Sequence, residues 1–573
     1  MSLPETPPPP ARRRSFPAGT LVLLALVVMA FLTVAAWAKP ESQAARPAKW
    51  RIIFNNDGGD VSTLGGSNVP RIENPPDAAQ ELIRRRTRGI EQFKVTTISY
   101  CTAWSFGLVL HRSEVARQMQ RRHRPDALVE KLAEKGTDSL KVMADYCRAH
   151  DLELWWSMRM NDTHDAYYPE NIPLSQFKKD HPELLLGKPS EKLPFGAWTQ
   201  VNYASEEVRA FALAMISEVL DRYAVHGIEL DFFRHPVLFP SVAQGGEASD
   251  ADRAALTGFL RAVRARVDEH NARLPAGERK VVLGIKTPDS PDYCYRIGLD
   301  LENYLKLGLL DFCVFGGYFR LAPWSRSAEL AHQYGVAAYA SIDRTAVQIP
   351  KEALKEEPDR HRRYGWITGT QDYHRPPFFR RHDVETYRGR ILSAIAQGHD
   401  GIELFNLFNL DHPLFAELAD LETMASRPAK YFHMARGTQQ SPSQFIDGGN
   451  TFFEEPIVSP GFPKAIPPAG LPLKLVTRLP ANGWKGSAEL LVDGTGTGPH
   501  AGKMTVLFNG EALTPEPIAV RDEVILKVPA AAVRNGENRI TLQPADGGTG
   551  VLVRDVMLRI APESPEPAKA AAR

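Results

Sequence analysis

Short apolar runs and longer amphipathic segments alternate along the chain between Trp50 and about residue 430. Apolar runs of roughly four to eight residues are typical of buried strands, and apolar positions three and four apart are typical of helices. The predicted strands are 51–54, 96–101, 152–160, the motif at 227–236, 280–286, 311–318, 336–343 and 401–408. The predicted helices are 77–93, 126–150, 205–225, 249–274, 300–307, 326–334, 383–398 and 412–425, of which 126–150 is either one long helix or a helix pair.

Eight strand-then-helix units predict an α/β fold of the (β/α)8 TIM-barrel type over residues 51–430, with loop insertions that explain its extra length. The alternative is a doubly wound open sheet. Because no glycine-rich phosphate turn follows the first strand, the pattern favours the barrel over a dinucleotide-binding fold.

The pattern changes after residue 430. Residues 431–470 are rich in Gly, Pro, Ser and Gln, which predicts a linker or a wrapping segment. Short alternating runs over 471–562, separated by turn signals such as Asn509-Gly510, predict a small antiparallel β-sandwich. Residues 563–573, composed largely of Pro, Glu and Ala, are expected to be a disordered tail.

The N-terminal segment has the composition of an export signal. Arg12 to Arg14 precede an apolar run from Leu21 to about Ala38 that closes with small residues, so 1–38 is predicted to be a signal peptide or an N-terminal membrane anchor. Residues 39–50 are a predicted linker. The protein is therefore expected outside the cytoplasm, as a periplasmic, extracellular or membrane-anchored protein.

Charge and cysteine content narrow the function classes. A net charge of +1 over 573 residues gives no reason to expect nucleic acid as a partner. The four cysteines match no zinc-binding spacing. Three of them, Cys101, Cys147 and Cys313, fall in strand-like or helix-like apolar runs, which predicts buried free thiols rather than disulfides.

The fourth predicted strand, within Gly227–Pro236, carries two acids in an apolar run. Glu229 and Asp231 are two residues apart, so on a strand both point to the same side. They belong either to a buried ion-pair network or to the carboxyl end of a barrel strand, where catalytic acids lie. A similar Gly-Ile-Glu-Leu sequence recurs at 401–404 and places Glu403 at an equivalent position four units later.

Polar side chains at the predicted carboxyl strand ends define the candidate site. Two carboxyl groups across a cleft suit glycoside hydrolysis, in which one protonates the leaving oxygen and the other attacks or activates water. Asp231 is the first expected catalytic carboxylate, as nucleophile or base, with Glu403 or Asp162 as its partner and Glu229 as a neighbour that raises a pKa. The expected substrate contacts are Asn56, Asp57, Trp104, Arg159, Asn161, Glu229, Arg234, Tyr318, Asp343 and Asn406. No His-x-His pair is present, so neither a metal nor another cofactor is expected.

Tryptophans and arginine clusters allow two interpretations each. Trp155 and Trp156 lie mid-strand and are expected in the core. Loop tryptophans can stack on sugar rings; these are Trp104, Trp198, Trp324 and Trp366. The arginine clusters at 84–86, 361–363 and 380–381 are expected on a solvated face, with binding of an anionic sugar as the alternative.

The strand-four motif Gly-Ile-Glu-Leu-Asp-Phe-Phe-Arg resembles the exported barrels called family-10-like glycosyl hydrolases, over about 50–430. In that family the motif reads Asp-Gly-Ile-hydrophobic-x-Asp-aromatic; His226 replaces the first Asp here, and Asp231 matches the last. The C-terminal segment, notably Asn535–Leu542, is similar to galactose-binding-like modules of glycosidases, which often only support the barrel.

The resemblance implies an exported glycoside hydrolase that cleaves a polysaccharide or oligosaccharide. One alternative is a protein that binds glycan on the same barrel without cleaving it. Another is a structural protein of the cell envelope, tethered by an uncleaved N-terminal segment.

Overall fold

The computed structural model confirms the (β/α)8 barrel. Eight parallel strands pair in chain order, and the first strand also pairs with the last, so the sheet closes on itself. These strands are β1 (Arg51–Asn56), β2 (Thr97–Ser105), β3 (Glu153–Arg159), β4 (Gly227–Asp231), β5 (Val282–Thr287), β6 (Phe312–Gly316), β7 (Ala337–Asp343) and β8 (Gly401–Phe405). Two short strands, Leu108–Val109 and Arg117–Gln118, extend the sheet beside β2.

The structure describes residues 50–61, 72, 75–118, 128–170, 172–317, 320–343, 383–433, 443, 445–458, 463–495, 504–516, 523–545 and 551–563. Several predictions lie outside these ranges: the export signal or anchor at 1–38, the tail beyond residue 563, Tyr318, Trp366 and the arginine clusters at 361–363 and 380–381. Within the described ranges, no helix is both long enough and apolar enough to cross a membrane.

Helices follow the barrel strands. They are α1 (Ala78–Arg86), α2 (Leu128–Glu134), α3 (Ser139–Ala149), α4 (His164–Tyr167), α5 (Gln176–Asp180), α6 (Glu206–Arg222), α7 (Pro240–Ala243), α8 (Asp250–Arg273), α9 (Pro291–Ile297), α10 (Leu301–Lys306), α11 (Trp324–Gln333), α12 (Val384–Ala396), α13 (Leu414–Glu417) and α14 (Leu421–Ala425). Short 3₁₀ helices occupy Gly59–Val61, Ile90–Gln92, Pro182–Leu184, Gly449–Phe452 and Ala530–Ala532.

Local capping explains where the long helices begin. Ser205 accepts a hydrogen bond from the backbone N–H of Glu207 at the start of α6, as its sequence predicts. Ser249 and Asp252 form a reciprocal capping box at the start of α8. Of the two possibilities predicted for 126–150, one long helix or a helix pair, the structure has the pair: Gly136, with φ +71°, lies between α2 and α3 and turns the chain.

Two antiparallel sheets follow the barrel and confirm the predicted β-sandwich class. One sheet contains Ala429–Phe432, Lys464–Ala465, Gly486–Thr495, Pro515–Glu516, Glu523–Val528 and Leu552–Pro562. The other contains Leu471–Thr477, Met504–Phe508, Glu511–Leu513 and Gly536–Pro544. Alternate residues along these strands are buried, as between Leu471 and Leu475, so one face of each sheet forms a core.

The barrel helix α12 joins these sheets to the barrel. The backbone of Gly389 lies so close to the strand Ala429–Phe432 that an added Cβ would fall 1.9 Å from the carbonyl oxygen of Lys430. Arg559 of the last strand donates to Glu385 of the same helix at 2.8 and 3.0 Å. The two parts therefore share a packed contact, which is consistent with a module that supports the barrel.

All four cysteines are buried free thiols, which confirms their predicted state. Burial raises the pKa of Cys101 to about 11, so this thiol stays neutral at physiological pH.

Candidate active site at the barrel mouth

A group of buried polar side chains, which we call the interior layer, lies on the inward-facing side of the barrel strands. Its members are Ser99, Ser157, Glu229, Lys286, Ser341 and Glu403, and each has no exposed surface. Lys286 Nζ lies 2.9 Å from Glu229 Oε1 and also contacts Glu403 Oε1. The serine hydroxyls donate to the two glutamates at 2.7 to 2.8 Å. The repeated glutamates of β4 and β8 thus meet at one shared lysine.

The interior layer changes the ionisation of its members. Burial raises the pKa of Glu403 to about 7, and the attraction of Lys286 only partly offsets this effect. Burial lowers the pKa of Lys286, but the nearby glutamates outweigh it and raise the pKa overall. The layer therefore holds one firmly protonated lysine between two carboxyl groups, of which Glu403 ionises with difficulty.

Asp231 lies at the carboxyl end of β4 and is 3% exposed. Its Oδ1 accepts a hydrogen bond from the backbone N–H of Phe233 at 2.8 Å. Burial raises the pKa of the Asp231 carboxyl; Lys286 works against this rise, and Glu229 adds to it. The environment of Asp231 therefore favours a protonated carboxyl more than an exposed aspartate would.

Arg159 is the cation around which the mouth carboxylates gather. It is paired in register with Asp231 across β3 and β4, and it donates to Asp162 Oδ2 at 3.1 Å. Burial lowers the pKa of Arg159, but the surrounding acids, including Asp57, outweigh it and raise the pKa overall. We call Asp57, Arg86, Arg159, Asp162 and Asp231 the mouth cluster.

Asp57 follows β1 and has the opposite electrostatic environment to Asp231. Burial raises the pKa of its carboxyl, but Arg86 and Arg159 outweigh that effect and hold the pKa well below its usual range. Its Oδ1 also accepts from the backbone N–H of Gly59 at 2.9 Å. Because the side chain is 25% exposed, an ionised carboxylate is accessible here.

Asp162 lies between Arg159 and two histidines. Its Oδ1 lies 2.5 Å from His164 Nδ1 and accepts from the His164 backbone N–H at 2.8 Å. Burial raises the pKa of Asp162, but His164 and Arg159 outweigh it, so the group is ionised throughout the physiological range. Burial lowers the pKa of His235 to about 3, which keeps that imidazole neutral.

Two predicted substrate contacts are occupied by protein groups. The amide of Asn56 accepts from Gly58 and Arg86 and donates to Asp60. Asn161 donates to the carbonyl oxygens of Val201 and Val237 and accepts from the Val201 N–H, so it connects loops of the mouth.

The remaining predicted contacts differ in their surroundings. Asp343 is 1% exposed and accepts from Arg390 at 2.6 Å. Arg234 is half-buried, with its guanidinium carbon 5.4 Å from the centre of the Phe405 ring. Asn406, half-buried with φ +57°, has a buried Oδ1 without a hydrogen-bond partner among the described residues.

The tryptophans divide between core and loops. Trp155 and Trp156 are 1% and 0% exposed, which confirms their expected core positions. The expected loop position of Trp104 is wrong, since it lies within β2; it is buried and donates from Nε1 to the carbonyl oxygen of Asp57 at 3.1 Å. The expected loop position of Trp324 is wrong, since Trp324 is the first residue of α11. The guanidinium carbon of Arg320 lies 3.7 Å from the centre of the Trp324 ring. Trp198 is half-buried.

The solvated face expected for the arginine cluster at 84–86 is wrong for two of its members. Arg85 and Arg86 are 0% and 1% exposed, and Arg86 lies 3.8 Å from the centre of the Phe408 ring. A sequence signal for their burial exists: both follow the buried Leu82 at helical spacings of three and four residues. Arg86 is thus the main mouth residue that the sequence interpretation missed.

Comparisons of sequence and comparisons of structure with known proteins give different results. No family model and no curated protein matches this chain. Among solved structures, the chain is similar to alpha-L-fucosidase isoenzyme 2 from Paenibacillus thiaminolyticus, with 12% identity, 71% of this chain and 55% of that chain covered, and a TM-score of 0.40. It is also similar to the PgaB (BpsB) glycoside hydrolase domain from Bordetella bronchiseptica, with 11% identity, coverage of 65% and 98%, and a TM-score of 0.40.

A class V chitinase from Pseudomonas fluorescens Pf-5 is similar at 11% identity over 65% of this chain and 99% of that chain, with a TM-score of 0.34. The chain spans little more than half the length of the first of these structures. The class that fold and site define is a (β/α)8-barrel protein with a carboxylate-lined mouth, and the resemblance to family-10-like hydrolases stays an expectation.

Proposed function

We propose that the protein is a glycoside hydrolase. The observation that carries the proposal is a pair of mouth carboxyl groups, Asp57 and Asp231, whose pKa values are shifted in opposite directions. Glycoside hydrolysis needs one protonated carboxyl as general acid and one ionised carboxylate as nucleophile or base. Environments that push two such pKa values apart assign these roles.

In this proposal Asp231 is the general acid and Asp57 is the nucleophile or base. Arg86 and, to a smaller extent, Arg159 lower the pKa of Asp57 and keep it ionised, and the charge of Arg159 acts on Asp231 as well. The other candidate partners fit less well. Glu403 is fully buried in the interior layer, and both oxygens of Asp162 are engaged by Arg159 and His164.

Substrate contacts are assigned by chemistry and access. The unpartnered, buried Oδ1 of Asn406 suits a sugar hydroxyl, since burying an acceptor without a donor is costly. The half-buried guanidinium of Arg234 can donate to another hydroxyl. The substrate class is a polysaccharide or oligosaccharide, and export directed by the signal or anchor predicted at 1–38 would bring the enzyme to it.

The test is incubation of the full chain with a panel of polysaccharides, with products read by mass spectrometry. Asp231→Asn is expected to lower turnover of a cleaved glycan by about 10²- to 10⁴-fold, the usual contribution of a general acid. The matched control is Asp400→Asn, an aspartate that directly precedes β8 at the amino end of the barrel strands and accepts from the backbone N–H of Ala338 at 2.8 Å. It is expected to reduce stability but keep turnover in the folded fraction. Full turnover by Asp231→Asn would refute its assignment.

A non-catalytic glycan-binding protein is the second candidate. Four carboxylates at strand ends each pair with an arginine, and these arginines hold the acids in fixed positions, which favours this candidate. The pairs are Asp57–Arg86, Asp162–Arg159, Asp289–Arg320 and Asp343–Arg390. A glycan that binds the purified chain without ever yielding products, and binds Asp231→Asn equally well, would favour this candidate.

A further inference from the structure

Three potential metal ligands meet beside the mouth, although their sequence spacing does not suggest a site. Asp162 lies in the loop after β3, His164 is the first residue of α4, and His235 lies in the loop after β4. One carboxylate oxygen and one ring nitrogen from each histidine all lie within 4.8 Å of one another. Ligands bound at about 2.0–2.2 Å to one ion are at most about 4.4 Å apart, so only a small adjustment is needed.

Neighbouring groups orient these ligands as they do around known metal sites. Arg159 binds Oδ2 of Asp162, which leaves Oδ1 on the side of the imidazoles. The backbone N–H of Thr163 donates to Nδ1 of His235 at 3.2 Å, so Nδ1 is the nitrogen with the lone pair and Nε2 carries the proton. An ion bound to Nδ1 of His235 would take the place of this hydrogen bond, whereas the contact from Arg159 would remain as an outer contact of the Asp162 carboxylate.

Burial and ring geometry also suit a metal ion. Asp162 and His235 are 0% and 7% exposed, whereas the His164 side chain is 26% exposed and can adjust. The rings of His164 and His235 lie at 74° to each other with centroids 5.6 Å apart, so they are not stacked face to face.

We propose that Asp162, His164 and His235 bind one divalent transition-metal ion of the zinc class. Two imidazoles and one carboxylate form a set that zinc and its neighbours in the first transition row accept, and three protein ligands leave a coordination position open. Mg²⁺ and Ca²⁺ prefer oxygen ligands and are not expected to bind. The ion would replace the hydrogen bond between His164 and Asp162 and would join the loops that follow β3 and β4.

The test uses the full chain freed of metal with a chelator. Zn²⁺ is titrated by calorimetry, Co²⁺ by visible absorption, and Mg²⁺ serves as the negative control. We expect one equivalent of Zn²⁺ to bind and to raise the thermal unfolding midpoint, since an ion that binds only the folded state stabilises it. His164→Gln and His235→Gln are each expected to weaken Zn²⁺ binding at least about 10- to 100-fold. A loss of affinity of this size is typical even for replacing a residue that contacts a metal ligand rather than the metal itself.

The matched control is His332→Gln. His332 also pairs with an aspartate, Asp400, at 2.8 Å, but His332 lies near the end of α11, Asp400 directly precedes β8, and neither belongs to the three-ligand cluster. It is expected to leave Zn²⁺ affinity unchanged. Because the His164 side chain is partly exposed, its variant is expected to fold. A cooperative thermal unfolding transition of each metal-free variant checks folding separately from metal binding.

Three outcomes would overturn the proposal: no stoichiometric binding of Zn²⁺ or Co²⁺, binding unaffected by both cluster variants, or a Co²⁺ spectrum typical of thiolate ligands. Because binding is read without substrate, these results are independent of whether the protein cleaves a glycan.

Discussion

The interior layer and the mouth cluster both group acidic side chains around a cation, but they differ in their exposure to solvent. In the interior layer, Lys286 serves two glutamates, and every member is closed to solvent. In the mouth cluster, Arg159 serves several aspartates, and Asp57 keeps a quarter of its side chain exposed. The two layers are only two residues apart along β4, from Glu229 to Asp231.

The difference lies in access and in partners rather than in residue type. Serine hydroxyls donate to the interior glutamates, and both glutamates are fully buried, so neither is exposed at the mouth. At the mouth, Asp231 and Asp57 have pKa values shifted in opposite directions beside one arginine. A buried ion network therefore lies inside the barrel, and the layer above it holds the two carboxyl groups to which we assign catalysis in our proposal.

The largest expected effect is loss of the interior cation. Lys286→Met leaves two buried carboxyl groups without a counter-ion, and breaking a buried ion pair in this way costs about 3–5 kcal/mol. Urea unfolding should show a much lower midpoint or no folded protein. Adding Glu229→Gln and Glu403→Gln to the same chain should recover much of the loss. An unchanged midpoint in Lys286→Met would contradict the structural role of the layer.

The next effect concerns the mouth. Asp57→Asn removes the ionised carboxylate, and turnover of a cleaved glycan is expected to fall by roughly 10²-fold or more, since this group acts directly on the substrate in our proposal. The control is Glu81→Gln, which removes the carboxylate partner of Arg85, a neighbouring buried arginine on α1. Both variants should lose stability, but only Asp57→Asn should lose turnover in the folded fraction; equal turnover in both would remove Asp57 from the mechanism.

The smallest effect is the pH dependence of the interior layer. The pKa of Glu403 rises from its usual 4.5 to about 7 on folding, so the folded state binds the proton more tightly than the unfolded state. The stabilisation that the tighter proton binding of Glu403 gives to the folded state is therefore complete below about pH 4.5. This stabilisation is lost as the pH rises to about 7, at up to about 1.4 kcal/mol per pH unit. Glu403→Gln should flatten this slope in urea unfolding measured from pH 4.5 to 8. Asp289, whose pKa burial also raises to about 7, remains in both proteins.

The features that depend on neighbouring residues along the chain were predicted correctly. Glu229 and Asp231 were expected on one side of a strand, and the register places them in successive layers beside Ser157 and Arg159. The Gly-Ile-Glu-Leu repeat correctly related β4 to β8, but it could not show that both glutamates share Lys286. The helix starts at Ser205 and Ser249 also followed from sequence, since capping involves only neighbouring residues.

Apolar periodicity and helix caps act over a few residues, so the chain's own pattern was enough for eight strand-and-helix units and a β-sandwich. The environment of each charge depends on residues far apart in the chain. Arg86 reaches Asp57 from α1, and His235 approaches Asp162 from the next loop of the barrel. Desolvation and charge–charge distance set the pKa values, and both exist only after the strands have closed. The tertiary structure alone therefore decided which of the many strand-end acids is buried, paired or accessible.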